Sequence, residues 1–226
     1  MDAFHARPRT SPSTTRTTIR AARSTATGSR SRHPADGPGG GSLPCSAVPP
    51  TQRLFIAVYP PAPAITDLAG LVSRLAFTRP HPAGLSLRPV PPEQWHVTVA
   101  FLGELDPAQL DATIAAMRAT AAATPRAPRL RLSGGGRFPN GRAAAIWAGL
   151  HGDLDDLHEL AGRLRGALAD ARVPFDPRPY QPHLTLARPG DRLGPDELRE
   201  VLEQLGAYAG PAWDTPLSCS CAATTR

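Results

Sequence analysis

Lysine is absent from this chain: all 25 basic residues are arginine. A Walker-type phosphate loop needs a lysine on the phosphates. Lysine-adenylate and Schiff-base chemistry need a lysine nucleophile. All three are excluded. Cysteine is scarce, and Cys45, Cys219 and Cys221 are spaced neither as a disulfide framework nor as a zinc site. A reducing, cytoplasmic setting fits that usage. No apolar run approaches the roughly 20 residues that cross a bilayer, so no membrane partner is expected. A surplus of positive charge is present, +6 in all, but seven Arg and two Asp fall within residues 1–50 and carry +5 of it. The basic character therefore belongs to the leading segment and says little about the folded body.

Residues 1–50 are rich in Ser, Thr, Arg, Pro and Gly and show no period of 2 or 3.6. Such a stretch buries too little apolar surface to offset the entropy of ordering it, and is read as a disordered leader. Patterned sequence begins at Arg53-Leu54-Phe55-Ile56-Ala57-Val58, a strand closed by Pro60 and Pro61. Residues 62–77 carry apolar side chains at helical spacing. A proline-rich connection leads to a strand from His96 to Leu102, stopped by Gly103. Asp106-Pro107 then reads as an N-cap with proline at the first helical position, opening a helix to about Ala122. In the second half a short strand around Leu130–Leu132 is followed by a glycine-rich turn at Gly134–Gly136 and a strand over 143–150. Asp153 opens a helix to about Ala171. A second proline-rich connection leads to a strand from His183 to Ala187, and a last helix spans about 195–206.

The order strand, helix, proline-rich connection, strand thus occurs twice. Residues 92–103 also align with residues 179–190 without gaps, and Pro, Gln, His, Thr, Ala and Gly coincide. On a strand, residues i and i+2 share a face. His96 and Thr98 therefore share one face while Val97, Val99 and Phe101 share the other; His183 and Thr185 do the same against Leu184 and Leu186. Packed about a pseudo-two-fold axis, the two His–Thr faces meet across one cleft. Imidazoles titrate near pH 6.5, so one can act as a neutral base while the other acts as a charged acid. That pairing suits in-line displacement at phosphorus, with threonine hydroxyls on the non-bridging oxygens. It requires no metal or other cofactor. A single His-x-Thr carries no such signal; the repetition does. His5, His33, His81, His151 and His158 have no partner of this kind and are read as leader, loop or surface residues.

The motifs His96-Val97-Thr98-Val99-Ala100-Phe101-Leu102-Gly103-Glu104 and Arg178-Pro179-Tyr180-Gln181-Pro182-His183-Leu184-Thr185-Leu186-Ala187-Arg188 resemble those of the RNA 2',3'-cyclic phosphodiesterases, also called 2'-5' RNA ligases, of the two-histidine (2H) phosphoesterases. Arg53–Val58 and the stretch from Gly136-Arg137-Phe138-Pro139 to Gly149 are similar too, and the likeness covers about residues 52–213. It implies an α+β, bilobal, duplicated fold with two antiparallel sheets lining a central cleft and helices outside. It implies hydrolysis of RNA terminal 2',3'-cyclic phosphates to 2'-phosphates, with reversible 2'-5' joining. His96 would be the proton donor and His183 the acceptor, roles that exchange in the reverse reaction and that sequence alone does not fix. Thr98 and Thr185 would bind phosphate. Arg188 would add charge, although strict alternation puts it on the aliphatic face, so its use requires the strand to end or bend there. Trp95, Phe138 and Tyr180 are read as packing rather than base-stacking residues, and Trp147 as core.

Family members continue past the last helix with two more strands. Residues 214–226 do not read as strand, and a frameshift or truncation is the expectation for this tail, with an unpaired sheet edge left behind. Two alternatives stand beside the enzyme reading: an impaired module that grips nucleotides or RNA ends without turnover, and a 2H enzyme acting on another cyclic phosphate such as ADP-ribose 1'',2''-cyclic phosphate. A monomer binding RNA ends or nucleotides with a 2',3'-cyclic phosphate is the partner expectation.

Overall fold

A computed structural model describes residues 53–78, 88–138, 144–188, 193–215 and 220–224. The leader and His81 lie outside the described residues. The elements are β1 (Arg53–Val58), α1 (Ala62–Val72), β2 (Arg88–Pro89), β3 (Val97–Gly103), α2 (Pro107–Ala122), β4 (Arg129–Phe138), β5 (Ala145–Gly152), α3 (Leu154–Asp170), β6 (Leu184–Arg188), α4 (Pro195–Gly206), β7 (Trp213–Asp214) and β8 (Ser220–Thr224). The first helix is shorter than its apolar pattern and gives way to a 3₁₀ turn over Ala76–Thr78, which still buries Ala76 and Phe77.

Strand order is β7-β4-β5-β6-β3-β1-β8, and the paired strands run antiparallel. One half is β8-β1-β3 and the other β7-β4-β5-β6. A single strand-to-strand pair, Val97↔Leu184, joins them, so the two expected sheets form one continuous ladder with a narrow waist. β2, from the first half of the chain, crosses to pair with β6. Val97 and Leu184 are fully buried and occupy equivalent places in the sequence repeat, so the pseudo-two-fold axis runs between them.

The helices cover the buried side of the ladder. α3 sets Leu157, Leu160, Ala161, Leu164 and Leu168 into the core, the stripe its spacing predicts. At the start of α2, Asp106 Oδ1 accepts from Gln109 N at 2.8 Å while Asp106 N donates to Gln109 Oε1 at 3.0 Å, a reciprocal cap. Asp153 occupies the N-cap of α3 without capping it. Its carboxylate accepts instead from Arg129 N and from Arg126.

Three sequence expectations are corrected here. Gly134–Gly136 is not a turn but lies inside β4, at a register shift against β5. The reason is close approach: a Cβ on Gly136 would lie 2.5 Å from Cζ2 of Trp147, the residue opposite it. Trp147 is accordingly half-buried over a glycine rather than enclosed in the core. Finally, the tail is not without strand. β7 pairs with β4 and β8 pairs with β1 from Ser220↔Ala57 to Thr224↔Arg53. The unpaired N–H and C=O groups of β1 recruit this segment through its backbone, which is why weak side-chain propensity did not reveal it.

Candidate active site

Val97 and Leu184 point into the core, so the residues on either side of each point the other way, into a cleft. Antiparallel register about this pair sets Thr98 level with His183 and Thr185 level with His96. All four side chains line one cavity of about 970 Å³, with Arg188. A second cavity of about 550 Å³ shares Thr98, His183, Thr185 and Arg188 with it. The sequence repeat is thereby folded into one site.

The two imidazoles are held by the same local device. Nδ1 of His96 lies 2.6 Å from the Gln94 carbonyl oxygen, and Nδ1 of His183 lies 2.7 Å from that of Gln181. A carbonyl only accepts, so these contacts assign the proton to Nδ1 and leave Nε2 for the cleft in both rings. The glutamines coincide in the repeat, but the contact is made by their backbone, which side-chain identity does not report. Upstream of His96, a 3₁₀ turn over Pro92–Gln94 sets the carbonyl in place. Trp95 between them is buried, with its indole N–H on the Val90 carbonyl at 2.7 Å, and acts as packing as expected.

Aromatic neighbours fix each ring further. His96 stacks on Phe55 with centroids 4.5 Å apart and 20° between planes. His183 meets Phe138 edge-on at 4.8 Å and has Trp147 at 6.3 Å. Phe138 lines the smaller cavity with Tyr180, which is half-buried against the core. Phe55 is a contributor the sequence did not single out. Burial lowers both imidazole pKa values from the ordinary 6.5, opposed by the backbone carbonyl bonds; the Arg188 charge lowers both further, and His183 lowers His96.

Arg188 does reach the cleft, because β6 departs from alternation. Ile146 pairs with Ala187 and Trp147 with Thr185, leaving Leu186 unopposed. Leu186 and Ala187 are both buried, and Arg188 returns to the His–Thr face. Its Nη2 lies 3.4 Å from Thr185 Oγ1. The same irregularity occurs in β3, where Ile56 pairs with Ala100 and Ala57 with Thr98, leaving Val99 unopposed. Phe101, expected on the aliphatic face, is therefore turned into the cleft and is 46% exposed. The signal was the aligned Val99-Ala100 and Leu186-Ala187, adjacent aliphatic residues that alternation cannot bury together.

His158 is exposed on α3 with Nδ1 on the Leu154 carbonyl, and His151 is exposed at the end of β5; neither enters the site. Among the described residues, no three His, Cys, Asp or Glu side chains are grouped to hold a metal ion, and no helix is long and apolar enough to cross a membrane.

The family model for the 2'-5' RNA ligase superfamily matches residues 61–221. An RNA 2',3'-cyclic phosphodiesterase of Thermus thermophilus is 34% identical over 154 residues, covering 64% of this chain and 73% of its own. One from Escherichia coli is 32% identical over 139 residues, covering 61% and 72%. A crystal structure from Thermus thermophilus has 31% identity and a TM-score of 0.51, covering 72% of this chain and 84% of that one.

Proposed function

The chain belongs to the 2'-5' RNA ligase superfamily, and from that premise we propose that it hydrolyses the 2',3'-cyclic phosphate at RNA ends to a 2'-phosphate, with slower 2'-5' joining in reverse. The observation that carries this reading is the register at Val97↔Leu184, which brings His96, Thr98, His183 and Thr185 onto one cleft face.

In the hydrolytic direction, His183 Nε2 takes a proton from water as its oxygen attacks phosphorus. The bond from phosphorus to the 3' oxygen breaks, and His96 Nε2 delivers the proton that this oxygen needs. His96 must enter the step protonated, against the lowering described above. The anionic cyclic phosphate beside it favours the imidazolium and supplies that bias. Thr98 and Thr185 hydroxyls donate to the non-bridging oxygens, and Arg188 adds a fixed positive charge where the phosphorane is most negative. The relatives named as RNA 2',3'-cyclic phosphodiesterases support the substrate class. Residues 51–213 would form the catalytic unit of a cytoplasmic monomer that binds RNA ends. An impaired tail is one route to the binding-module alternative; the pairing of β8 along β1 supports the enzyme reading instead.

The test is hydrolysis of an oligonucleotide 2',3'-cyclic phosphate in EDTA, with the phosphate located in the product by NMR. A 2'-phosphate is expected, and His96→Ala or His183→Ala should slow turnover about 10²–10⁴-fold, the usual worth of a general acid or base. A 3'-phosphate product, or full activity in either variant, overturns the reading.

A further inference from the structure

We propose that Arg165 is the positioning residue for His183: it ties the proline-rich connection over residues 171–183 to α3, so that the Gln181 carbonyl is delivered to Nδ1 of the imidazole. The inference rests on the cyclic-phosphate reading for its purpose and adds to it a residue outside the paired motifs.

The two histidines are held alike but reached differently. Upstream of His96 a 3₁₀ turn aims the Gln94 carbonyl, and the buried Trp95 anchors that turn through its indole N–H. In the repeat Trp95 aligns with Pro182, which has neither an indole nor a backbone N–H to anchor with. Residues 171–183 also contain neither helix nor strand. The same contact from carbonyl to imidazole is nevertheless made, at 2.7 Å. Something other than a local turn therefore holds this connection in place.

Arg165 supplies the hold. It stands on α3 between the buried Leu164 and Leu168, so the core fixes its backbone. Its Nη2 donates to the Asp176 carbonyl and to the Arg178 carbonyl, each at 2.6 Å. Its guanidinium carbon lies 5.5 Å from the centre of the Phe175 ring. Both hydrogen bonds go to main chain, as a tether requires. The prolines pass that tie on toward His183. Asp176, Arg178 and Gln181 each precede a proline, and a residue before proline is confined to extended ψ. Since ψ aims the carbonyl, the two carbonyls that Arg165 grips and the one that His183 uses are stiffened alike. Asp176 adds a brace: its N–H donates to the Phe101 carbonyl at 2.8 Å, and its Oδ1 accepts from Arg178 N at 3.0 Å. Arg165 lines the smaller cavity together with Gln181 and His183.

Titration of the imidazoles separates this inference from the hydrolytic reading, because it needs no substrate. NMR on the full chain follows His96 and His183 in wild type and in two variants. Arg165→Met keeps the apolar stem and removes the donors; Pro179→Gly keeps Arg165 and frees the link to Gln181. The Gln181 carbonyl raises the His183 pKa, so losing that contact should lower the His183 pKa in both variants and leave His96 where it is. Nitrogen shifts should show the His183 ring losing its preference for Nδ1–H. An unchanged His183 titration in either variant overturns the proposal. So does a rise in Arg165→Met, which would mean that the lost cation acted through its charge. If Arg165→Met does not fold, the Pro179→Gly titration decides alone. In cyclic-phosphate turnover, measured alongside, kcat of both variants should fall about 10–10²-fold, the scale of a misplaced catalytic group. KM should be nearly kept, because Thr98, Thr185 and Arg188 still hold the phosphate. A wild type that hydrolyses no cyclic phosphate overturns the hydrolytic reading and leaves the titration to decide Arg165.

Discussion

Arg188 acts on the site in two ways, and the two have separable signatures. Its charge lowers the pKa of both histidines, and its guanidinium reaches Thr185 on the cleft face. Arg188→Ala removes the repulsion, so both imidazoles should titrate at higher pH, and the acid limb of the pH–rate profile should move up with them. A fall in kcat/KM of about 10²-fold should accompany the shift, as for loss of one preorganised donor to transition-state charge. NMR titration of the two imidazoles and a pH–rate series measure both; an acid limb that stays put or moves down counts against the assigned electrostatics. At this scale the sequence was informative about His96, Thr98, His183 and Thr185, since repetition alone set them apart from five other histidines. It was silent on the Gln94 and Gln181 carbonyls, because a backbone acceptor carries no residue-type signature.

Strands reveal how the supporting layer is built. Gly136 leaves room for the Trp147 indole across the β4–β5 pair, and Trp147 stands beside His183. Gly136→Ala would drive a Cβ to 2.5 Å from that ring, so the indole must move. A loss of about 1–3 kcal/mol in stability is expected for such overpacking, with a larger drop in kcat than His151→Ala gives, since His151 lies outside the site. Chemical denaturation and steady-state kinetics test the pair of effects. Asp106→Ala should cost about 1 kcal/mol through the reciprocal cap of α2, with kcat unaltered. Helices α2, α3 and α4 were legible in advance because caps and apolar stripes are local. The bulges in β3 and β6 left only the trace of adjacent aliphatic pairs in the sequence, because their placement is set by register against β1 and β5. Alternation therefore misplaced Phe101 and left Arg188 conditional on a bend. The tail strand escaped notice for a related reason: β8 is specified by the open edge of β1, not by its own side chains.

The molecule as a whole should respond to acid through its site. In the folded chain His96 and His183 bind protons less readily than the ordinary value of 6.5. The unfolded chain then takes up more protons, so acid favours unfolding. The contribution from neutral, buried imidazoles is complete above pH 6.5 and is lost as pH falls below it. Urea midpoints between pH 7.5 and 5 should decline, and His96→Gln should flatten part of that decline; a rise on acidification contradicts the sign. Removing residues 216–226 should lower the thermal midpoint and promote aggregation, since it strips β8 from β1 and bares that edge.

That closing strand also sets an order of assembly during synthesis. The half that carries His183 is complete once Trp213–Asp214 have paired with β4. The half that carries His96 must wait for Ser220–Thr224, because its first strand is flanked by its last. Chains still tethered to the ribosome hold Arg53–Val58 against β3 with one side open, in reach of a neighbouring nascent chain. Completion of the sheet that carries His96 therefore waits on the pairing of Ser220–Thr224, and the first strand made is among the last to be enclosed.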